Sequence, residues 1–299
     1  KLQKRNNKAQ FTKKAYENVY NSDNSFGKTY GEHREFLEFD KSEYLELIEF
    51  TKSLNLIFIA TAFDIQSLNF LEDINVSAIK IASGDIVNHP LLEEASKSNL
   101  PLIISSGCST FEEIDMAFNL LNKNNSEFAF LQCTSSYPAK FEELNIRVIS
   151  TLRDKYPNTV IGFSSHDNGI SAPIAAYTLG ARIIEKHFTT DRTMKGTDQV
   201  FSLSPSGLRK VCRDLDRLYF ALGDGEKCIY ESEIKPMKKQ RKSIVASRFL
   251  CKGKVINKDD LSYKVPNEGL LPYQANLLIG KCLKKDIQED DYINLEDII

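Results

Sequence analysis

Val160-Ile161-Gly162-Phe163-Ser164-Ser165-His166 opens as a short apolar run and closes on two hydroxyls and an imidazole, and Arg182-Ile183-Ile184-Glu185-Lys186-His187 repeats that pattern. Working back toward the start of the chain, similar runs stand at Phe128–Cys133, Leu102–Ser105, Val76–Ile81 and Leu56–Ala60. Short apolar runs rich in β-branched residues read as strands, and strands alternating with helical periodicity read as βα units of a parallel sheet. The intervening segments carry the helix signals. Asp40 and Ser42 precede the apolar pattern of Tyr44-Leu45-Glu46-Leu47-Ile48, and Ser109-Thr110-Phe111-Glu112 predicts a capping box ahead of Ile114, Met116 and Ala117. Ser204-Pro205 supplies a cap and a first-turn proline to a helix that closes at Gly223.

Each run ends in polar residues: Thr61, then Lys80 with Ser83 and Asp85, Ser105, Thr134 and Ser135, Ser164 and His166, and His187. A closed barrel brings the C-terminal ends of all its strands to one face, whereas an open doubly wound sheet does not gather six of them. The second alternative also lacks its phosphate loops, since neither G-x-G-x-x-G after the first strand nor G-x-x-x-x-G-K-[ST] occurs. The expected fold is therefore α/β, a (β/α)8 TIM barrel. Six complete runs are two short of eight, and a strand ending near Gln3 supplies the seventh, so the barrel is expected to lack its first strand and helix. Lys1, which is not a methionine, reads as a start inside a fold. The barrel is assigned to 1–230 and a lysine-rich, solvated linker to 231–242. A small mixed β domain is assigned to 243–299, with turns at Lys252-Gly253-Lys254, Pro266-Asn267-Glu268-Gly269 and Gly280-Lys281.

Composition narrows the function classes. With 299 residues, 41% hydrophobic and 27% charged, the chain is an ordinary globular protein rather than a disordered one. Lys+Arg 39 against Asp+Glu 41 leaves a net charge of -2, too little to steer the chain onto nucleic acid or an anionic membrane. No apolar stretch reaches the ~20 residues of a membrane helix, so a cytoplasmic location is the default. The six cysteines show no C-x-x-C and no dense spacing, and read as reduced, mostly buried thiols.

Of the four histidines, His166 and His187 stand at the ends of adjacent strand-like runs. A lone strand-end histidine is ordinarily a hydrogen-bonded structural residue, but two on neighbouring strands favour a metal pair with open positions for substrate and water. His33 and His89 read as surface or capping residues. Lys80 interrupts the apolar run Ala78-Ile79-Lys80-Ile81-Ala82, where an unpaired ammonium is costly. Its partner is either an internal carboxylate such as Asp85 or an anionic ligand. Ser83, Ser105, Ser135 and Ser164 on the same face favour the ligand, since hydroxyls and lysines together hold an anion without a P-loop.

Six segments in order resemble the sialic acid synthase family: Lys1–Asn6, Tyr30-Gly31-Glu32-His33-Arg34-Glu35, Ile79–Asp85, Gln132–Pro138, Ile161–His166, and Glu185–Thr189 with Gly196-Thr197-Asp198. The likeness extends over 243–299, which resembles the family's C-terminal SAF (antifreeze-like, β-clip) domain. The resemblance implies a transferase that joins C3 of phosphoenolpyruvate to the aldehyde of an N-acetylated amino sugar such as N-acetylmannosamine, water adding at C2 and phosphate leaving. It implies His166 and His187 as ligands of Mn2+ or Mg2+ and, with Lys80, as catalytic residues. Lys1, Thr61, Lys80, Ser83, Ser105, Ser135 and Ser164 are the implied phosphoenolpyruvate contacts, and Gln3, Tyr137 and Asp198 the implied sugar contacts. A homodimer in which the SAF domain caps the partner's barrel is also implied.

Three departures accompany it. The family's first-strand motif, which carries a glutamate of the site, has no counterpart in residues 1–299. Ser135 stands where many members have asparagine, and Val265 where many bacterial members have an arginine that reaches the sugar. Two rival readings remain at this point: the same chemistry on a 2,4-diacetamido sugar of the legionaminic or pseudaminic type, and a non-catalytic sugar-binding barrel.

Overall fold

A computed structural model describes residues 1–299, which fall into two compact units, Lys1–Gly223 and Asp224–Ile299. Seven parallel strands make the sheet of the first unit: β1 (Leu2–Lys4), β2 (Ala60–Ala62), β3 (Ile79–Ile81), β4 (Leu102–Ser105), β5 (Phe128–Cys133), β6 (Val160–Ser165) and β7 (Ile183–Lys186). Their spatial order is their chain order, with β1 and β7 as edges. Lys1 Nζ nevertheless donates to Glu185 Oε1 at 3.2 Å, so the sheet curls until its two edges face each other.

Side chains alternate across this sheet with a period of two. On β3, Ile79 and Ile81 are fully buried on the outer face, where they join Ala60, Ala62, Ile104, Phe130, Ile161 and Phe163 in one core under the helices. Lys80 between them takes the inner face. Gly162 on β6 is required by close approach: a Cβ there would come within 2.3 Å of Leu131 Cδ2 and 2.5 Å of the Ile183 carbonyl oxygen.

The helices start where their caps dictate. Asp40 caps Lys41–Ser53 in a capping box with Glu43, and Ser204 Oγ accepts from Gly207 N at the head of Pro205–Ala221. The box at 109–112 is displaced by one residue: Thr110, not Ser109, caps Phe111–Lys123, and its reciprocal partner is Glu113. Two strand limits also differ. Leu56 and Ile57 are 59% and 72% exposed, and β2 begins only at Ala60; β3 begins at Ile79 rather than Val76. Apolarity alone placed those residues in strands, whereas no ladder partner extends that far.

In the second unit the lysine-rich segment expected as an extended linker is instead helical over Glu231–Gln240, with Pro236 inside. Glu233 accepts from the Tyr230 backbone N at 2.9 Å, and Glu231 and Glu233 in the first turn favour the start of this helix, while Pro236 leaves one of its interior hydrogen bonds unmade. Beyond it, β8 (Ser243–Ala246) pairs antiparallel with β9 (Leu261–Lys264) over a separate core of Ile244, Leu250, Ile256, Leu278, Leu283 and Ile293. Asp260, fully buried, binds Arg248 at 2.8 Å and lies 3.3 Å from Lys254. No helix of the chain is long and apolar enough to cross a membrane.

The thiols correct another expectation. All six are free, but only Cys133 is buried and Cys282 half-buried, while Cys108, Cys212, Cys228 and Cys251 are exposed. The exposed four lie on a helix surface or in turns and connections, outside the apolar runs. His33 is likewise not a surface residue. It is 6% exposed in helix Tyr30–Phe36, its Nδ1 accepts from Phe26 N at 3.2 Å, and the Tyr20 and Phe26 rings flank it. Burial, then Arg34 and Lys195, lower its pKa and keep it neutral in that role.

Candidate functional site

The inner face of the curled sheet holds a cavity of about 590 Å³, and its lining follows the strands two residues at a time. Lys1 and Gln3 come from β1 and its approach, Thr61 from β2, Lys80 from β3 and Ser105 from β4. Cys133 and Ser135 follow along β5, Ser164 and His166 along β6, and Glu185 and His187 along β7. Ser83, Tyr137 and Asp198 enter from the connections above the strand ends. The twelve residues expected as metal, phosphoenolpyruvate or sugar contacts thus line one cavity, whereas Asp85 and Thr134 do not.

At the floor, Lys80 is 2% exposed. Its Nζ donates to the Ile81 carbonyl and to Ser105 Oγ, each at 2.7 Å, and lies 4.0 Å from Glu185 Oε2. Asp85, the carboxylate considered for this lysine, instead accepts from Asn88. Burial pushes Lys80 down to about 8, against the attraction of Glu185, so it is still mostly protonated at neutral pH. Glu185 accepts from Lys1 and, at 3.3 Å, from Ser164 Oγ. Burial opposes its ionisation, but Lys80 and Lys1 more than offset this and hold its pKa below the usual range. Thr61 Oγ1 is buried with no partner in the protein, a hydroxyl left over for a ligand. Gly107 lets two further hydroxyls approach: its N donates to Ser83 Oγ at 3.0 Å, and a Cβ there would lie 2.2 Å from Ser135 Oγ.

Above the floor, the rings of His166 and His187 stand 5.2 Å apart, edge to face, with Tyr137 and buried Phe201 packed around them. His166 Nδ1 lies 2.8 Å from the Thr134 carbonyl and His187 Nδ1 lies 3.3 Å from Asp198 Oδ2. A carbonyl or a carboxylate only accepts, so both Nδ1 atoms carry the proton and each neutral ring keeps its lone pair on Nε2. Two such imidazoles suit a divalent cation. No group of three or more His, Cys, Asp and Glu side chains is gathered for a metal, so a cation held here would keep most of its positions for water and substrate.

Glu185, Cys133, Arg5 and Arg34 line the cavity without having been singled out. The signal for the first two was present. Glu185 stands two residues before His187 and Cys133 two before Ser135, on the same face of their strands by simple alternation.

The NeuB family model matches residues 1–227 and the SAF domain model residues 241–299. The chain is similar to N-acetylneuraminate-9-phosphate synthase of Homo sapiens, 37% identical over 300 residues that cover 100% of this chain and 83% of that protein. It is also similar to N,N'-diacetyllegionaminic acid synthase of Campylobacter jejuni, 37% identical over 260 residues, 86% and 78% of the two chains. Among solved structures, the N-acetylneuraminic acid (sialic acid) synthetase of Leptospira borgpetersenii in complex with citrate is 40% identical. It superposes with a TM-score of 0.65 over 71% of this chain and 75% of that one. The chain belongs to the NeuB family of sialic acid synthases and carries a SAF domain at its C-terminal end.

Proposed function

We propose that the cavity condenses phosphoenolpyruvate with an N-acetylated amino sugar, N-acetylmannosamine or a close relative, to give a nonulosonic acid and phosphate. What supports this most is the arrangement of two lone-pair Nε2 imidazoles above a floor of buried lysine and hydroxyl donors. A divalent cation, Mn2+ or Mg2+, held by His166 and His187 would polarise the sugar's aldehyde.

The remaining steps belong to the chain's own residues. Lys80, Lys1 and the hydroxyls of Thr61, Ser83, Ser105, Ser135 and Ser164 hold the carboxylate and phosphate of phosphoenolpyruvate. Its C3 forms the bond to the aldehyde carbon, and the aldehyde oxygen takes up a proton to become a hydroxyl. Water adds at C2, losing one proton, and C2 then becomes a ketone as its C–O bond to phosphate breaks and the remaining hydroxyl proton passes to the departing phosphate. Glu185, kept ionised by its two lysines, is the carboxylate placed to accept the proton from that water. Gln3, Tyr137 and Asp198 face the sugar. The same reading includes an eight-stranded barrel of which these residues supply seven strands. It also includes a homodimer in which each SAF domain caps the partner's cavity, and a monomer in light scattering would remove that part.

Replacing Lys80 with Met keeps the apolar stem and deletes the charge. One charge-assisted hydrogen bond contributes about 1.5–3 kcal/mol, so phosphoenolpyruvate should bind roughly 10- to 100-fold more weakly while thermal stability holds or rises. Because burial lowers Lys80 to about 8, the free site loses its proton as pH rises through that value. Wild-type affinity should therefore fall between pH 7 and 9.5, and the Lys80→Met variant should lack that fall. A pH-independent wild-type affinity, or a variant that unfolds without a change in affinity, favours a purely structural ion pair.

Titration of Mn2+ into the apo chain, followed by the loss of the free-ion electron paramagnetic resonance signal, tests the histidines without turnover. Binding by the wild type and at least tenfold weaker binding by His166→Ala and by His187→Ala are expected. Unchanged binding in both variants would place the cation elsewhere.

A further inference from the structure

The backbone ladder between β6 and β7 runs from Gly162–Ile183 to Ser165–Lys186 and stops there, one residue short of His166 and His187. Past that point the backbones of the two histidines are tied to other segments. The His166 carbonyl accepts from Ala139 N at 3.2 Å, and the His187 carbonyl accepts from Leu203 N at 2.8 Å. A side chain then takes over the link between the two strand ends. Lys186 Nζ donates to the Asp167 carbonyl at 2.6 Å and to Asp167 Oδ1 at 3.0 Å, so the residue before His187 grips the residue after His166 twice.

Lys186 lies between Glu185 and His187, so alternation turns it away from the cavity that both of them line, and Asp167 does not line it either. The Lys186 side chain is 5% exposed and that of Asp167 is 0% exposed. Stability is a weak reason for such a pair. Taking two charges out of water offsets most of their attraction, and an apolar pair of similar volume commonly serves as well. Here the balance is poorer still, because Ser165 Oγ and Lys186 Nζ both donate to Asp167 Oδ1 while Oδ2 is buried with no hydrogen-bond partner. What the pair does supply is direction. A double grip on a carbonyl and a carboxylate fixes one strand end against the other, as non-directional apolar packing does not.

We propose that Lys186 and Asp167 are positioning residues that hold His166 and His187 at the separation at which both Nε2 atoms meet one divalent cation. This rests on the histidine–cation part of the condensation reading and gives the buried ion pair behind the histidines its role. Hydrogen bonds to the Thr134 carbonyl and to Asp198 orient each imidazole, and the Lys186–Asp167 link sets the spacing of the two chain segments that carry them. That spacing matters because the rings stand 5.2 Å apart and a binding geometry tolerates displacements of only about 0.5 Å. No third protein ligand is gathered here to compensate for a misplaced histidine.

The test is Mn2+ titration of the full chain, read by loss of the free-ion electron paramagnetic resonance signal, beside thermal unfolding and metal-free calorimetric titration with phosphoenolpyruvate. Removing one partner alone leaves the other charge buried and destabilises the chain, so the decisive variant is Asp167→Leu/Lys186→Met, which removes both. We expect it to keep or exceed the thermal stability of the wild type and to bind Mn2+ at least fivefold more weakly, with phosphoenolpyruvate affinity within about twofold. Lys186→Arg, which keeps a charged donor, should bind Mn2+ within about twofold of the wild type. Should the double variant fold poorly by circular dichroism, Asp167→Asn, which keeps the shape and weakens the grip, should still bind Mn2+ at least threefold more weakly. Unchanged Mn2+ affinity in the folded variant overturns the positioning role, and so does an equal fall in the affinities for Mn2+ and phosphoenolpyruvate, the mark of a general loosening. If the wild type binds Mn2+ through His166 and His187 and the folded variant binds it equally well, only this inference is lost. If the wild type binds no Mn2+, or His166→Ala and His187→Ala bind it unchanged, the cation part of the condensation reading falls and the positioning role with it.

Discussion

Two-residue alternation on seven parallel strands is the constraint from which the rest of the first unit follows. Because register is fixed between neighbours, Gln3, Thr61 and Lys80 stand side by side, as do Cys133, Ser164 and Glu185. Each strand thereby divides its residues between an outer apolar face and an inner polar one. A one-residue slip of β3 would move Lys80 into the core and Ile79 or Ile81 into the cavity, so the hydrophobic effect that fixes the outer face also fixes the site. Gly162 and Gly107 serve the same geometry, since a Cβ at either would collide with a neighbouring strand or with the hydroxyls above it.

The inner face then presents an electrostatic problem. A buried ammonium without partners is destabilising by several kcal/mol, whereas a neutral hydrogen bond returns about 1 kcal/mol. Lys80 has the Ile81 carbonyl, Ser105 and the more distant Glu185, which reduce the penalty without removing it, and its pKa falls accordingly. Glu185 is drawn the other way, toward ionisation, because Lys80 and Lys1 share it. Both lysines are thus held in place by one carboxylate and by acceptors that an incoming anion can supplement. Thr61 Oγ1, buried without a partner, shows the same incompleteness. Groups left short of partners at one end of a cavity describe a binding site better than a finished ion-pair network.

How much of this was legible in the sequence depended on which periodicity was followed. The strand ends were readable because polar residues cut off apolar runs, and β4 and β5 fall where those runs lie. Following the runs outward to His187 and Ser135, but not back by two along the same face, missed Glu185 and Cys133; stopping at Gln3 missed Arg5. Leu56 and Ile57 misled because apolarity without a ladder partner does not make a strand. The helix at Glu231–Gln240 was hidden by Pro236 and a lysine run, although Glu231 and Glu233 already stood in its first turn. His33 became buried through contacts with Tyr20 and Phe26, tertiary neighbours that no local pattern announces.

The central claim is that one cavity brings phosphoenolpyruvate and an amino sugar together for carbon–carbon bond formation. The most direct measurement is phosphate release from phosphoenolpyruvate with Mn2+ present, run against a panel of N-acetylated amino sugars and 2,4-diacetamido sugars, each with and without a terminal phosphate. The account predicts release that requires one sugar of the panel, yields a nine-carbon acid in equal amount, and is lost in the His187→Ala variant. Phosphate release that ignores the sugar, or none with any sugar from a folded chain that binds phosphoenolpyruvate, would contradict it.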